Sequence, residues 1–84
     1  RLPQNGVVNN MMGYIYMDLE DMDKAQLHFE LFMRANPDVT NAYDSYGDFY
    51  AELGDNKKAK EMYMMAYAKD STWTASKEKA EALK

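Results

Sequence analysis

Cysteine is absent from this 84-residue chain, so neither a disulfide framework nor a thiolate metal site can reinforce its fold, and the redox compartment is left open. Long apolar runs are missing too. None approaches the roughly 20 residues that a membrane-spanning helix needs. Positive charge is scarce: the formal net charge is -4 and the pI about 4.8, which argues against a nucleic-acid surface or a polybasic membrane patch. Histidine occurs once. Around His28, the i+3 and i+4 places where a second metal ligand would stand hold Leu31 and Phe32, so it is read as a packing residue at the edge of a helix. At 9.7 kDa the chain is one domain at most. It buries only about 60% of its unfolded surface. With Arg1 at its start and no signal-like segment, it is read as a piece of something longer.

Repetition is what the chain has. "MGYIYMDLEDMDKA" (12–25) returns as "YGDFYAELGDNKKA" (46–59), with Gly13/Gly47, Tyr16/Tyr50, Leu19/Leu53, Asp21/Asp55, Lys24/Lys58 and Ala25/Ala59 each 34 residues apart. Apolar residues between the joints fall at helical spacing, and no stretch alternates with period two, so no strand is expected. Val8, Met11, Met12, Ile15, Tyr16 and Leu19 mark the core face of a first helix. Asp21 is an N-cap, with Asp23 in the first turn, for a second helix whose stripe is Ala25, Phe29, Phe32 and Met33. Pro37 stops it. Asp38 or Thr40 caps a third helix to about Leu53. Gly54 and Asp55 then turn the chain into a fourth, about 56–69. "WTASKEKAEALK" breaks the repeat and reads as a capping helix with Trp73, Ser76, Ala80 and Leu83 on its inner side.

A helical glycine costs about 1 kcal/mol relative to alanine, so two of them one period apart call for a close helix–helix approach. Ala25 and Ala59 serve the same contact, with Tyr16, Phe29, Tyr50 and Tyr63 filling the space between layers. Met12, Met33 and Met65 are assigned to the core. Met11 and Met17 lie on another face, suited either to packing or to a partner.

The period and its residues resemble the tetratricopeptide repeat. The family's large residue, Leu-Gly pair, Tyr, Ala, aromatic and Pro stand here as Asn9, Met12-Gly13, Tyr16, Ala25, Phe29 and Pro37. They return as Tyr43, Tyr46-Gly47, Tyr50, Ala59, Tyr63 and Ser71, with Asn9 and Ser71 as departures. The resemblance implies an all-α superhelix: repeats over 6–38 and 40–73, then a capping helix over 73–84. It also implies a non-catalytic protein-interaction module. A second, ten-residue likeness, "NAYDSYGDFY", is to repeat segments behind bacterial serine hydrolases. It implies an accessory or oligomerisation tail packing on its own catalytic domain, and a periplasmic or secreted location in place of a cytoplasmic one.

The concave face that such stacking leaves falls on the first helix of each pair. Off the packing stripe there stand Asn10, Tyr14, Met17 and Asp18, then Asn41, Asp44, Asp48, Ala51 and Glu52. An aromatic and a methionine beside four carboxylates favour a basic segment with an apolar anchor. The chain's own upstream domain and a second copy are the other partners considered. In this family acidic C-terminal tails are held by Lys, Arg and Asn, so binding of such a tail is not expected. No catalytic constellation assembles: Ser45 lacks the glycine two residues earlier that a nucleophile elbow needs. Asp18, Glu20, Asp21 and Asp23 lack a calcium-loop pattern. No cofactor is called for.

Overall fold

The computed structural model describes residues 6–83; the lead-in of the first five residues lies outside them. Five helices occupy this span: α1 (Gly6–Asp18), α2 (Met22–Ala35), α3 (Thr40–Leu53), α4 (Asn56–Lys69) and α5 (Thr74–Ala82). α1 packs on α2 and α3 on α4 as hairpins, α2 joins the hairpins by packing on α3, and α5 closes against α4. The extents are 36 × 25 × 14 Å, too thin to bury both sides of every helix.

The two cap residues one period apart act alike. Asp21 accepts a hydrogen bond from the Lys24 N–H at 3.3 Å, and Asp55 from the Lys58 N–H at 3.2 Å, each satisfying an amide that the helix start leaves over. Gly54 ends α3 in the left-handed region at φ 85°. α3 departs from expectation at its other end. Its N-cap is Val39, without a side-chain cap, and Thr40 is already helical. The preceding loop is held instead by the Tyr43 hydroxyl, which donates to the Pro37 carbonyl at 2.7 Å.

Gly13 and Gly47 each sit under an aromatic ring. A Cβ on Gly13 would lie 2.5 Å from Cε1 of Phe29, and one on Gly47 would lie 2.5 Å from Cδ1 of Tyr63. Ala25 and Ala59 are fully buried beside them. The core runs from Ala25, Phe29, Tyr46 and Phe49 through Phe32, Ala42, Tyr43 and Ala66 to Ala59, Tyr63 and Ala80.

Three expectations are corrected. α1 buries Asn9 and Gly13, while Val8, Met11, Ile15 and Leu19 stand in solvent, because α2 lies on the Gly13 side and nothing described covers the other. Met65 is exposed, since the inward row of α4 is Ala59, Tyr63 and Ala66 and a residue two past Tyr63 points away. His28 is buried, not at an edge. Its Nδ1 lies 3.0 Å from Asn9 Oδ1 and its ring stacks on Tyr16. That pairing accounts for Asn9 where an aromatic was expected: a buried carboxamide there meets a polar partner on the facing helix.

Candidate partner-binding face

The residues assigned from sequence to the concave face divide into two groups in space. Asn10 and Asn41 line an open cavity of about 530 Å³ at the start of α1 and α3. Val7 and Met11 of α1, Phe32 of α2 and Val39 ahead of α3 supply its apolar wall, and Asn36 a third carboxamide. Among the described residues, its lining carries no charge. Asn36 is committed, donating from Nδ2 to the Phe32 carbonyl at 3.1 Å. Asn10 is not: its Oδ1 is buried and accepts no hydrogen bond. A buried acceptor left unfilled costs about 1–3 kcal/mol, so a rotation of the side chain that turns this oxygen to a donor in the cavity would recover that cost.

The second group is closed. The Tyr14 hydroxyl donates to Asp48 Oδ2 at 2.5 Å and the Tyr63 hydroxyl to Asp48 Oδ1 at 2.6 Å. Lys79 Nζ reaches Asp48 Oδ1 at 3.2 Å and Asp44 Oδ2 at 3.0 Å, while Ser76 Oγ donates to Asp44 Oδ1 at 2.6 Å. Four helices thus meet on two carboxylates. Burial first, and then the hydrogen bond to Asp48, raise the Tyr14 and Tyr63 hydroxyls far above the ordinary tyrosine value. For Lys79, burial pulls downward, but the hydrogen bonds and charges of Asp44 and Asp48 outweigh it and hold the ammonium above its usual range. Of the remaining residues, Met17 packs against the core, whereas Asp18 and Glu52 are exposed and free to meet charge on a partner. Ser45 is buried inside α3.

Sequence reasoning placed Ser76 and Tyr63 on inward faces without joining them to Asp44 and Asp48, and it missed Lys79 in the closed group and the cavity wall in the open one. A signal was present in part. Ser76 and Lys79 are three apart and so share a face of α5, and Asp48 is the counterpart of Tyr14 one period on. Nothing in the letters tells that α5 turns that face onto α3. Among the described residues no cluster of His, Asp or Glu could hold a metal ion, and no helix is long and apolar enough to cross a membrane.

Paired helices stacked in one direction, with glycine–aromatic contacts repeated at one spacing, define an all-α helical-repeat solenoid closed by a capping helix. The sequence pattern of the tetratricopeptide repeat matches residues 7–39 and 40–68, and the chain belongs to that family. It is accordingly a protein-interaction module, of a family whose repeats are generally non-catalytic. A search of curated proteins gives no significant match.

Proposed function

We propose that the module holds a short extended segment of a partner protein, anchored in the cavity between the starts of α1 and α3. The observation that carries this is the buried, unfilled carboxamide oxygen of Asn10 beside an apolar wall. A peptide backbone matches it, with an N–H for Asn10 Oδ1, a carbonyl for the Asn41 side chain and one apolar side chain for Val7, Phe32 and Val39. Because the described lining is uncharged, the anchor is neutral. Basic residues of the partner have Asp18 and Glu52 to meet further along, since Asp44 and Asp48 are occupied by Lys79.

Selection from a random displayed-peptide library, followed by amide NMR titration of the chain, tests this. Enriched peptides should carry a single large apolar residue in a neutral core and should move the Asn10 and Asn41 side-chain resonances. Asn10→Ala should weaken binding about tenfold, one hydrogen bond's worth, without lowering the chain's stability, because the residue removed is under-satisfied in the free state. A variant that binds normally but is less stable would refute the reading.

The alternative of an accessory tail behind a serine hydrolase draws on the likeness over 41–50. Most of those residues are buried within α3, so the likeness bears on packing more than on activity, and the interaction reading is preferred.

A further inference from the structure

One stripe of the molecule is patterned as core yet lies largely exposed. On α3, Ala42, Tyr46 and Phe49 are covered by α2: the rings of Phe29 and Phe49 are 6.0 Å apart, and Phe32 packs on Ala42. Their counterparts one period earlier are Val8, Met12 and Ile15, continued by Leu19. Phe49 is 1% exposed, whereas Ile15 is 52% and Leu19 is 68%. Between Gly6 and Met17, α1 carries no charge at all.

We infer that this stripe is a self-association surface, where two copies of the chain pair through α1 about a two-fold axis with the helices antiparallel. The spacing is self-complementary: Val8 of one copy falls opposite Leu19 of the other, and Met12 opposite Ile15, which a two-fold interface requires. Charge selects the orientation. The acids of this segment, Asp18 and Glu20, lie at its C-terminal end. Antiparallel pairing brings them to the positive end of the other helix's dipole, whereas parallel pairing would set them side by side. Head-to-tail stacking is disfavoured because the far end of the molecule exposes Lys77, Glu78 and Glu81 of α5, a poor match for an apolar row. One helix face buries well under the roughly 800 Å² per partner of a stable complex, so the dimer belongs to the weak, concentration-dependent class. Both copies carry a charge of -4, so added salt strengthens the association.

Sedimentation equilibrium from about 10 μM to about 1 mM tests the proposal. The average mass should rise toward twice that of the chain, more steeply at high salt, and Ile15→Glu or Leu19→Glu should weaken pairing at least about tenfold. Both residues are exposed in the single chain and clear of the cavity lining, so helix content and peptide binding should stay unchanged. Because the chain has no cysteine, a mixture of Val8→Cys and Leu19→Cys proteins should oxidise to the mixed disulfide in preference to either like pair. A chain that stays monomeric throughout, a dimer indifferent to Ile15→Glu, or no preference for the mixed disulfide would overturn it.

Discussion

Replacing Asp48 by alanine removes the acceptor on which α1, α4 and α5 converge, and the loss can be worked from the structure. Two tyrosine hydroxyls, at 2.5 and 2.6 Å, and one ammonium, at 3.2 Å, lose their partner. A hydrogen bond to a charged group contributes about 1.5–3 kcal/mol. Asp48 is partly exposed, so water replaces some of each bond and the lower end applies, giving about 3 kcal/mol for the two tyrosines. The Lys79 bridge adds little more, because that side chain is 41% exposed and solvent screens it. A domain of 84 residues has roughly 4–12 kcal/mol of stability in all, so this single change removes a quarter or more of it. Asp48→Asn keeps one oxygen acceptor and the side-chain shape, and should cost about half as much. Urea unfolding followed by far-ultraviolet circular dichroism measures both; the midpoint should fall while the slope holds. A loss below about 1 kcal/mol for the alanine variant would refute the view that this carboxylate ties the helices together. Tyr14→Phe and Tyr63→Phe should each lose less than Asp48→Ala, and their effects should couple through the shared acceptor.

Two glycines should respond to alanine for different reasons. At Gly47 the added methyl meets the Tyr63 ring at 2.5 Å, so overpacking of about 1–3 kcal/mol outweighs the gain in helix propensity of about 1 kcal/mol. At Gly54 nothing lies within 4 Å of the added atom, yet φ of 85° alone costs about 1 kcal/mol. Thermal melts that show both variants at or above the parent stability would contradict this. Alkali should unfold the chain cooperatively. Tyr14, Tyr63 and Lys79 have folded-state values raised above their ordinary ones, and burial with the Tyr50 hydrogen bond pushes Tyr46 up to about 12. Their contribution is full below pH 10 and is lost as pH climbs through the folded values, so tyrosinate absorbance should rise together with helix loss. On the acid side, the Asp70 carboxyl, held down by the Thr72 hydroxyl and amide, stabilises the α4–α5 turn above its ordinary value of 3.8 and ceases to as pH falls through the folded value. Amide exchange at Thr72 should quicken in that range.

Local chemistry at matched positions fixed most of the architecture. Asp21 and Asp55 as caps, Gly54 as a left-handed terminus and Gly13 and Gly47 under aromatic rings all depend on residues whose partners are a turn or a hairpin away. A period of 34 residues states the caps and the glycine–aromatic contacts twice, which is why the fold was legible in the letters. Which helix face is covered is another matter, because it depends on which neighbour arrives. The apolar periodicity of α1 specified a face suited to burial, but only the placement of α2 decided that Asn9 and Gly13 went inside while Ile15 and Leu19 stayed out. Likewise Asp44 and Asp48 read as an open acidic groove until α5 laid Ser76 and Lys79 across them, a contact 31–35 residues distant in sequence. Periodicity encodes a helix's sides, since it depends only on residues of one turn; the occupant of each side is set by the packing of whole elements, and that information exists only in three dimensions.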